Sequence, residues 1–310
     1  MNIVTLLNGL PGACAQGLIW GIMAIGVYIT YKILDLADLT VDGTMCTGGA
    51  VCIMLMLSGH SVGFSLFCAF LAGMLAGLVT GLFHTAMGIP ALLAGILTQL
   101  GLYSINLRIM GDKANQVISV DKYNLLVSLR RVSGVPIRNN TILIVIIITV
   151  LLIGILYWFF GTELGCSIRS TGSNPNMSRA QGINTDFTKI LGLMLSNGIV
   201  AFASGLYAQY QGFADVNMGR GAIVIGLAAV IIGEVIFGKI SRNFAVHLLS
   251  VSLGAIIYYL VIQVVLWLGL IKTNDLKLFT ALVVAVFLSI PYIKGKYFAK
   301  PVKKGGADRA

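Results

Sequence analysis

Nine apolar blocks, most of them long enough to cross a bilayer, succeed one another along this chain and leave it few other ways to fold. They run 12–34, 45–57, 62–83, 89–107, 141–160, 187–210, 222–237, 244–268 and 276–293. A membrane-spanning helix needs about 20 predominantly apolar residues, because the hydrocarbon layer is about 30 Å thick. Only 10% of the 310 residues are charged and 57% are hydrophobic, against about 25% charged in soluble domains. The reading is an all-α polytopic membrane protein, one transmembrane domain over residues 1–310, with no room for a hidden soluble catalytic domain.

The blocks are interrupted in an instructive way. Gly17, Gly21 and Gly26 stud the first span, where small residues allow close helix approach. Asp35, Asp38 and Asp42 then fall within eight residues, too costly for lipid, so this piece must face water, protein or a cavity. The next helix is expected to resume at Met45. The stretch Ala37–Gly43 (ADLTVDG) is echoed by Ala214–Gly219 (ADVNMG), five spans later and hence on the opposite membrane face. That pattern predicts an inverted repeat with interrupted helices, residues 12–108 and 187–293, an arrangement that lets broken backbone line a solute path. Asp38, Asp42 and Asp215 are therefore candidates for that path. On the fourth span Gln99, Tyr103 and Asn106 are four and three residues apart, so they can share one helical stripe and join it.

Residues 109–140 form the longest polar segment, and Tyr123–Val132 within it is expected to make an amphipathic surface helix. The tail, 294–310, carries Lys294, Lys296, Lys300, Lys303 and Lys304 directly after a span and marks the cytoplasmic face. Counting back through nine spans puts the N-terminus outside, 109–140 outside and 161–186 inside, with 12 of the 21 Lys and Arg residues inside. No positive region precedes the first apolar residues, so a cleaved signal peptide is not expected.

The segment 161–186 is longer than a helix connection requires, since such loops usually run about 2–8 residues. Gly165, Gly172 and Gly182 punctuate it, Asn174-Pro175 forms a turn, and Arg169 and Arg179 are fixed cations. Two short helices fit, roughly Glu163–Ser170 and Asn176–Gln181. Its length suggests a docking element; the plainer alternative is an ordinary solvated loop.

Enzymatic motifs are missing. Gly233–Lys239 opens like a phosphate-binding loop, but Ile240 stands where a Mg²⁺-binding Ser or Thr is needed and no strand precedes it. Glu234 reads instead as a carboxylate paired with Lys239 or Arg242. There is no G-x-S-x-G elbow and no H-E-x-x-H. Cys14, Cys46, Cys52, Cys68 and Cys166 are scattered, as are His60, His84 and His247, so no metal ligand set, no cofactor and no catalytic residue is expected. The net charge of +10 is dispersed among loops and does not suggest nucleic acid.

The run TELGCSIRSTGSNPNMSRAQGIN (Thr162–Asn184) resembles the cytoplasmic coupling region of permeases in the branched-chain amino acid and ribose families of ABC importers. Gly165, Arg169, Gly172, Asn174 and Gly182-Ile183 match its spacing, while Ser170 and Ser178-Arg179 depart from it. Leu34–Ala37 with Gly43, and Ala201–Gln211, are similar to other stretches of that family. DLADLTVDG, Pro90–Gly111 and Ile231–Gly238 resemble the subgroup labelled as tryptophan/tyrosine importer permeases. The resemblance implies a homodimeric permease in a bacterial cytoplasmic membrane, two ABC ATPase subunits on the cytoplasmic side and an external binding protein. ATP hydrolysis would then lie in the partner, and Glu163, Gly165, Arg169, Gly172, Asn174, Arg179 and Gly182 would couple to it. The alternative is an ion-coupled secondary transporter using Asp38, Asp42 or Glu234 as its ion site.

Overall fold

The computed structural model describes residues 3–119, 123, 125–132, 140–238, 243–268 and 276–297. The first helix, α1 (Ile3–Tyr28), continues as one π-helical turn (Ile29–Ile33) and then breaks. It is followed by α2 (Thr40–Leu57), α3 (Val62–Thr85), α4 (Ala91–Ile109), a short strand β1 (Asn115–Val117) and α5 (Thr141–Gly161). Two short helices come next, α6 (Glu163–Ser173) and α7 (Pro175–Ala180). The chain then forms α8 (Thr185–Gln211), β2 (Phe213–Asp215), α9 (Ala222–Phe237), α10 (Phe244–Trp267) and α11 (Leu276–Tyr297). Every apolar block is helical.

Among the described residues, seven helices are long and apolar enough to cross a membrane. At 16 residues and 1.5 Å per residue, α9 reaches about 24 Å, short of the hydrocarbon thickness. It must begin or end inside the protein.

The core is built around α8, which packs against α1, α2 and α3, while α10 lies against α1 and α9. Of the most apolar stretch of α1, 83% is buried, against 22% for α5 and 28% for α4. The first therefore runs through the centre, and the other two present apolar faces outward. Lipid offers helices no hydrophobic reason to associate, so close packing and hydrogen bonds must do it. Gly73 and Gly77 of α3 lie so near the α8 backbone at Asn197 and Leu193 that any Cβ would strike it. Gly17 and Gly21 serve the same purpose against α10, and Gly26 against α8. Ser196 Oγ donates to the Gly26 carbonyl at 2.7 Å, and Ser204 Oγ to that of Met45.

Two sequence expectations are corrected. Residues 125–132 make a single 3₁₀ turn at Leu129–Arg131, not an amphipathic α-helix, because Leu125, Val127 and Val132 each point into the protein. The helix after the first break starts at Thr40, five residues before Met45, and carries Asp42 in its first turn. The basic tail beyond residue 297, Lys239 and Arg242 lie outside the described residues.

Strand β1 pairs antiparallel with β2, Asn115 opposite Asp215. The connection after α4 and the one after α8 thus meet at one end of the bundle. Helices α6 and α7 sit at the other, across the full length of α5. Single cysteines at Asn115 and Asn176, both exposed, should consequently react with a membrane-impermeant thiol reagent from opposite sides in a cysteine-free background. Labelling of both from one side would overturn the arrangement.

Candidate functional site

The elbow α6–α7 is set by local capping. Thr162 Oγ1 accepts from the Gly165 N–H at 3.4 Å and starts α6, with Glu163 exposed in the first turn, where a carboxylate suits the helix dipole. Asn174 ends α6 and begins α7, accepting from the Met177 N–H at 3.0 Å, with Pro175 at the first helical position. Gly182, at φ +82°, stops α7, and Asn184 then caps α8 through the Asp186 and Phe187 N–H groups.

The elbow is fixed to the bundle by what lies under it. Gly165 rests on the backbone of Phe159 and Phe160 at the end of α5. Gly172 rests on the backbone of Ile33 and Leu34, where α1 breaks. The sequence suggested that Gly172 marks a turn; it lies instead inside α6 and is glycine because no Cβ fits against Ile33. Thr171 Oγ1 shares a hydrogen bond of 2.9 Å with Thr188 Oγ1, and Ser170 Oγ one of 2.8 Å with Ser178 Oγ. Arg179 donates to Thr185 Oγ1 at 2.8 Å and pairs with Asp186 at 3.4 Å. The Arg169 guanidinium lies over the Phe244 ring, 5.7 Å from its centre. Leu164, Met177 and Phe187 stand exposed on the outer surface of this region.

The second constellation surrounds the start of α2. Asp38 is 3% exposed; its Oδ1 accepts from the Thr40 N–H at 2.9 Å and its Oδ2 from Asn197 Nδ2 at 2.7 Å. It lies in the break between the π-helical turn and α2, level with the middle of α8. Asn197 accepts in turn from Thr44 Oγ1 at 2.7 Å, and Thr40, Thr80 and Thr98 form a hydroxyl chain at 2.7 and 2.9 Å. Helices α2, α3, α4 and α8 are thereby tied together.

Asp42 reaches across to α9. Its two oxygens accept from the Gly221 and Ile223 N–H groups, each at 3.0 Å, so a side chain of one interrupted helix caps the start of the other. Cys46 Sγ, one turn on, donates to the Val216 carbonyl at 3.0 Å and accepts from the Gly219 N–H at 3.3 Å. Asp215 Oδ1 accepts from the Asn217 N–H at 2.6 Å, the same two-residue turn that Asp38 makes with Thr40.

Asn106 is buried and donates to the Gly43 carbonyl at 3.4 Å, while its Oδ1 has no partner. Gln99 is half-buried, with its backbone beside Gly43. Tyr103, on the same helix, is 44% exposed. Glu234 stands apart from this site and pairs with Lys32 at 3.1 Å.

Sequence reasoning missed a third feature. A cavity of about 790 Å³ at the β1–β2 end is lined by Gln16, Tyr210, Gln211, Tyr258, Tyr259 and Gln263 among others, with no charged side chain among the described residues. Behind it Trp20 packs against Tyr207 and Tyr259, with ring centres 5.4 and 5.8 Å apart. The only signal was the recurrence of Gln and Tyr on α1, α8 and α10, which no local pattern connects.

Residues 11–290 match the family model described as the permease component of branched-chain amino acid transport systems. The chain is 40% identical to the tyrosine transport system permease protein of Clostridioides difficile, covering 91% of each. It is 34% identical to an uncharacterized protein of Rickettsia prowazekii, over 91% of this chain and 98% of that one. It is also 30% identical to the autoinducer 2 import system permease of Yersinia pestis, over 59% of this chain and 50% of the relative.

Losing the Asp42 carboxylate should cost stability more than losing any threonine of the network. Interhelical hydrogen bonds in membranes average about 0.6 kcal/mol, whereas bonds to a charged group are worth about 1.5–3 kcal/mol. Asp42→Ala should lower the thermal midpoint in detergent clearly below that of Thr80→Ala, with Asp42→Asn in between. Equal midpoints for Asp42→Ala and the unmodified protein would show that the cap contributes nothing.

Proposed function

From the membership of this chain in the branched-chain amino acid transport permease family of ABC importers, we propose that it passes an amino acid from an external binding protein to the cytoplasm as half of a homodimer. Two separate ATPase subunits supply the energy. The observation that carries this reading is the elbow, whose two contact glycines, Gly165 and Gly172, rest directly on the backbone of α5 and of the α1 break. A push on such an element has no slack to absorb it, because packed interiors shift between discrete arrangements and do not deform continuously.

In this proposal the exposed side of the elbow, with Glu163, Leu164, Asn174, Met177 and Arg179, receives the ATPase, and Gly182 gives α7 its end. The protein lies in the bacterial cytoplasmic membrane. The elbow and C-terminus face the cytoplasm, and the N-terminus and the β1–β2 end face outward, in line with the majority of Lys and Arg on the inner side. The repeats 12–108 and 187–293 form the two halves, each with an Asp-anchored turn before a helix that starts beside its counterpart.

The ion-coupled alternative fares worse on geometry. Asp38 and Asp42 already accept hydrogen bonds from backbone and amide donors, and Glu234 is paired with Lys32. None is a vacant cation ligand.

Tyrosines and glutamines, with no charged side chain among the described lining residues, suit a zwitterion carrying an aromatic ring, since amides can satisfy both of its charged ends and ring faces its side chain. The name of the Clostridioides difficile relative points the same way. Along the inner course of the path, Asn106, with its free Oδ1, and Gln99 are the polar groups offered by α4.

Two outcomes follow. Gly172→Val should insert in the membrane yet lose transport-coupled ATP hydrolysis by about tenfold or more, the equivalent of about 1.4 kcal/mol. Normal coupling in that variant would make the elbow a solvated loop. Uptake of tyrosine or tryptophan should require the binding protein and should fall in Gln99→Ala and Asn106→Ala while ATPase assembly survives. A purified binding protein that ignores aromatic amino acids and captures another solute would refute the substrate and leave the permease standing.

A further inference from the structure

Arg169 and Phe244 wall two hollows, the larger of which opens where α5 ends. The larger, about 590 Å³, is also lined by Tyr157, Trp158 and Phe160; the smaller, about 260 Å³, by Tyr28, Lys32 and His247. No residue of α7 contributes to either.

Arg169 differs from its neighbours in how its charge is met. Lys32 has Glu234 at 3.1 Å and Arg179 has Asp186 at 3.4 Å, but among the described residues Arg169 has no carboxylate partner. Its cation sits on the face of Phe244, which supports one side of the guanidinium and leaves its N–H edge available. A planar guanidinium fork is suited to phosphate, which it can bind through two parallel hydrogen bonds.

The position of the notch narrows the source of that phosphate. Its walls are the last turn of α5 and the first residues of α10, the ends of two membrane spans. The ends of spanning helices are the parts that reach the headgroup layers of a bilayer. Trp158 is 71% exposed and Tyr157 51%, and amphipathic rings placed this way form the aromatic belt of a membrane protein. Deeper along the same helix, Ile147, Val150, Leu151 and Ile155 are all exposed and offer an apolar wall to acyl chains.

We propose that the notch between α5, α6 and α10 binds an anionic phospholipid, with its phosphate on Arg169 and its acyl chains along α5. A choline headgroup would bring its own cation against Arg169 and Lys32, so zwitterionic lipid is disfavoured. The ligand would brace the root of the elbow from the membrane side, whatever solute the protein carries.

The test is native mass spectrometry of the full chain in detergent, titrated with dioleoylphosphatidylglycerol or dioleoylphosphatidylcholine. The unmodified protein should bind the glycerol lipid about tenfold more tightly, as expected for loss or gain of a charge-assisted bond. Arg169→Gln should fall to the level of the choline lipid, while Arg179→Gln keeps the preference. Arg169→Lys, which retains the charge, should keep part of it and so separates lost binding from misfolding. Equal binding of the two lipids, or an undiminished preference in Arg169→Gln, would overturn the proposal. Stabilisation of lipid-free protein by inorganic phosphate, equal to that by lipid, would assign the notch to a free anion and overturn it as well. So would lost ATPase assembly in Arg169→Gln with lipid preference intact, which would give the residue to a protein partner.

Discussion

In hydrocarbon no water can replace a missing backbone partner, so every amide that leaves a helix must find a bond within the protein. This chain breaks its helices twice at membrane depth, and the Asp42 carboxylate resolves the consequence of the second break. It accepts from the Gly221 and Ile223 N–H groups and closes the start of α9 from the first turn of α2. The sulfur of Cys46, one turn further, does the same for Gly219 and Val216. Neither interrupted helix is complete alone. The short length of α9 follows, because a helix capped by the neighbour's side chain can begin partway through the bilayer.

This bears on how the buried carboxylates are read. An acid within a membrane protein ordinarily signals an ion or solute site. Here Asp38 fastens a turn and holds Asn197, Asp42 caps a helix, and Asp215 repeats the turn made by Asp38. Among the described residues, the buried side-chain atoms left without a hydrogen-bond partner, Asn106 Oδ1 among them, belong to uncharged groups.

The helices were legible because apolar runs of span length have one solution in a bilayer. The elbow was legible because Asn-Pro and the Thr and Asn caps are local signals, and both short helices lie close to where those signals put them. Four things were hidden for a common reason. The start of α2 looks too polar for a helix until its partner is known, and that partner is some 180 residues away. Gly172 looks like a turn residue until Ile33 is placed against it. The β1–β2 ladder joins three-residue stretches that carry no strand pattern, and Gln16, Tyr210 and Gln263 meet only when three helices do. Local chemistry wrote the elements and distant contacts wrote their meaning.

The β1–β2 ladder clips the connection after α4 to the connection after α8 at one end of the bundle, while the elbow lies at the other. Three residues on each side, held by backbone hydrogen bonds, fasten these two connections to each other. For a rigid rotation about that fastening, displacement grows in proportion to distance from it. The 21 residues of α5 form a lever arm of about 30 Å. An angle of a few degrees that leaves the clip almost still therefore moves the elbow end by an ångström or two, which makes the two faces of this molecule mechanically unequal.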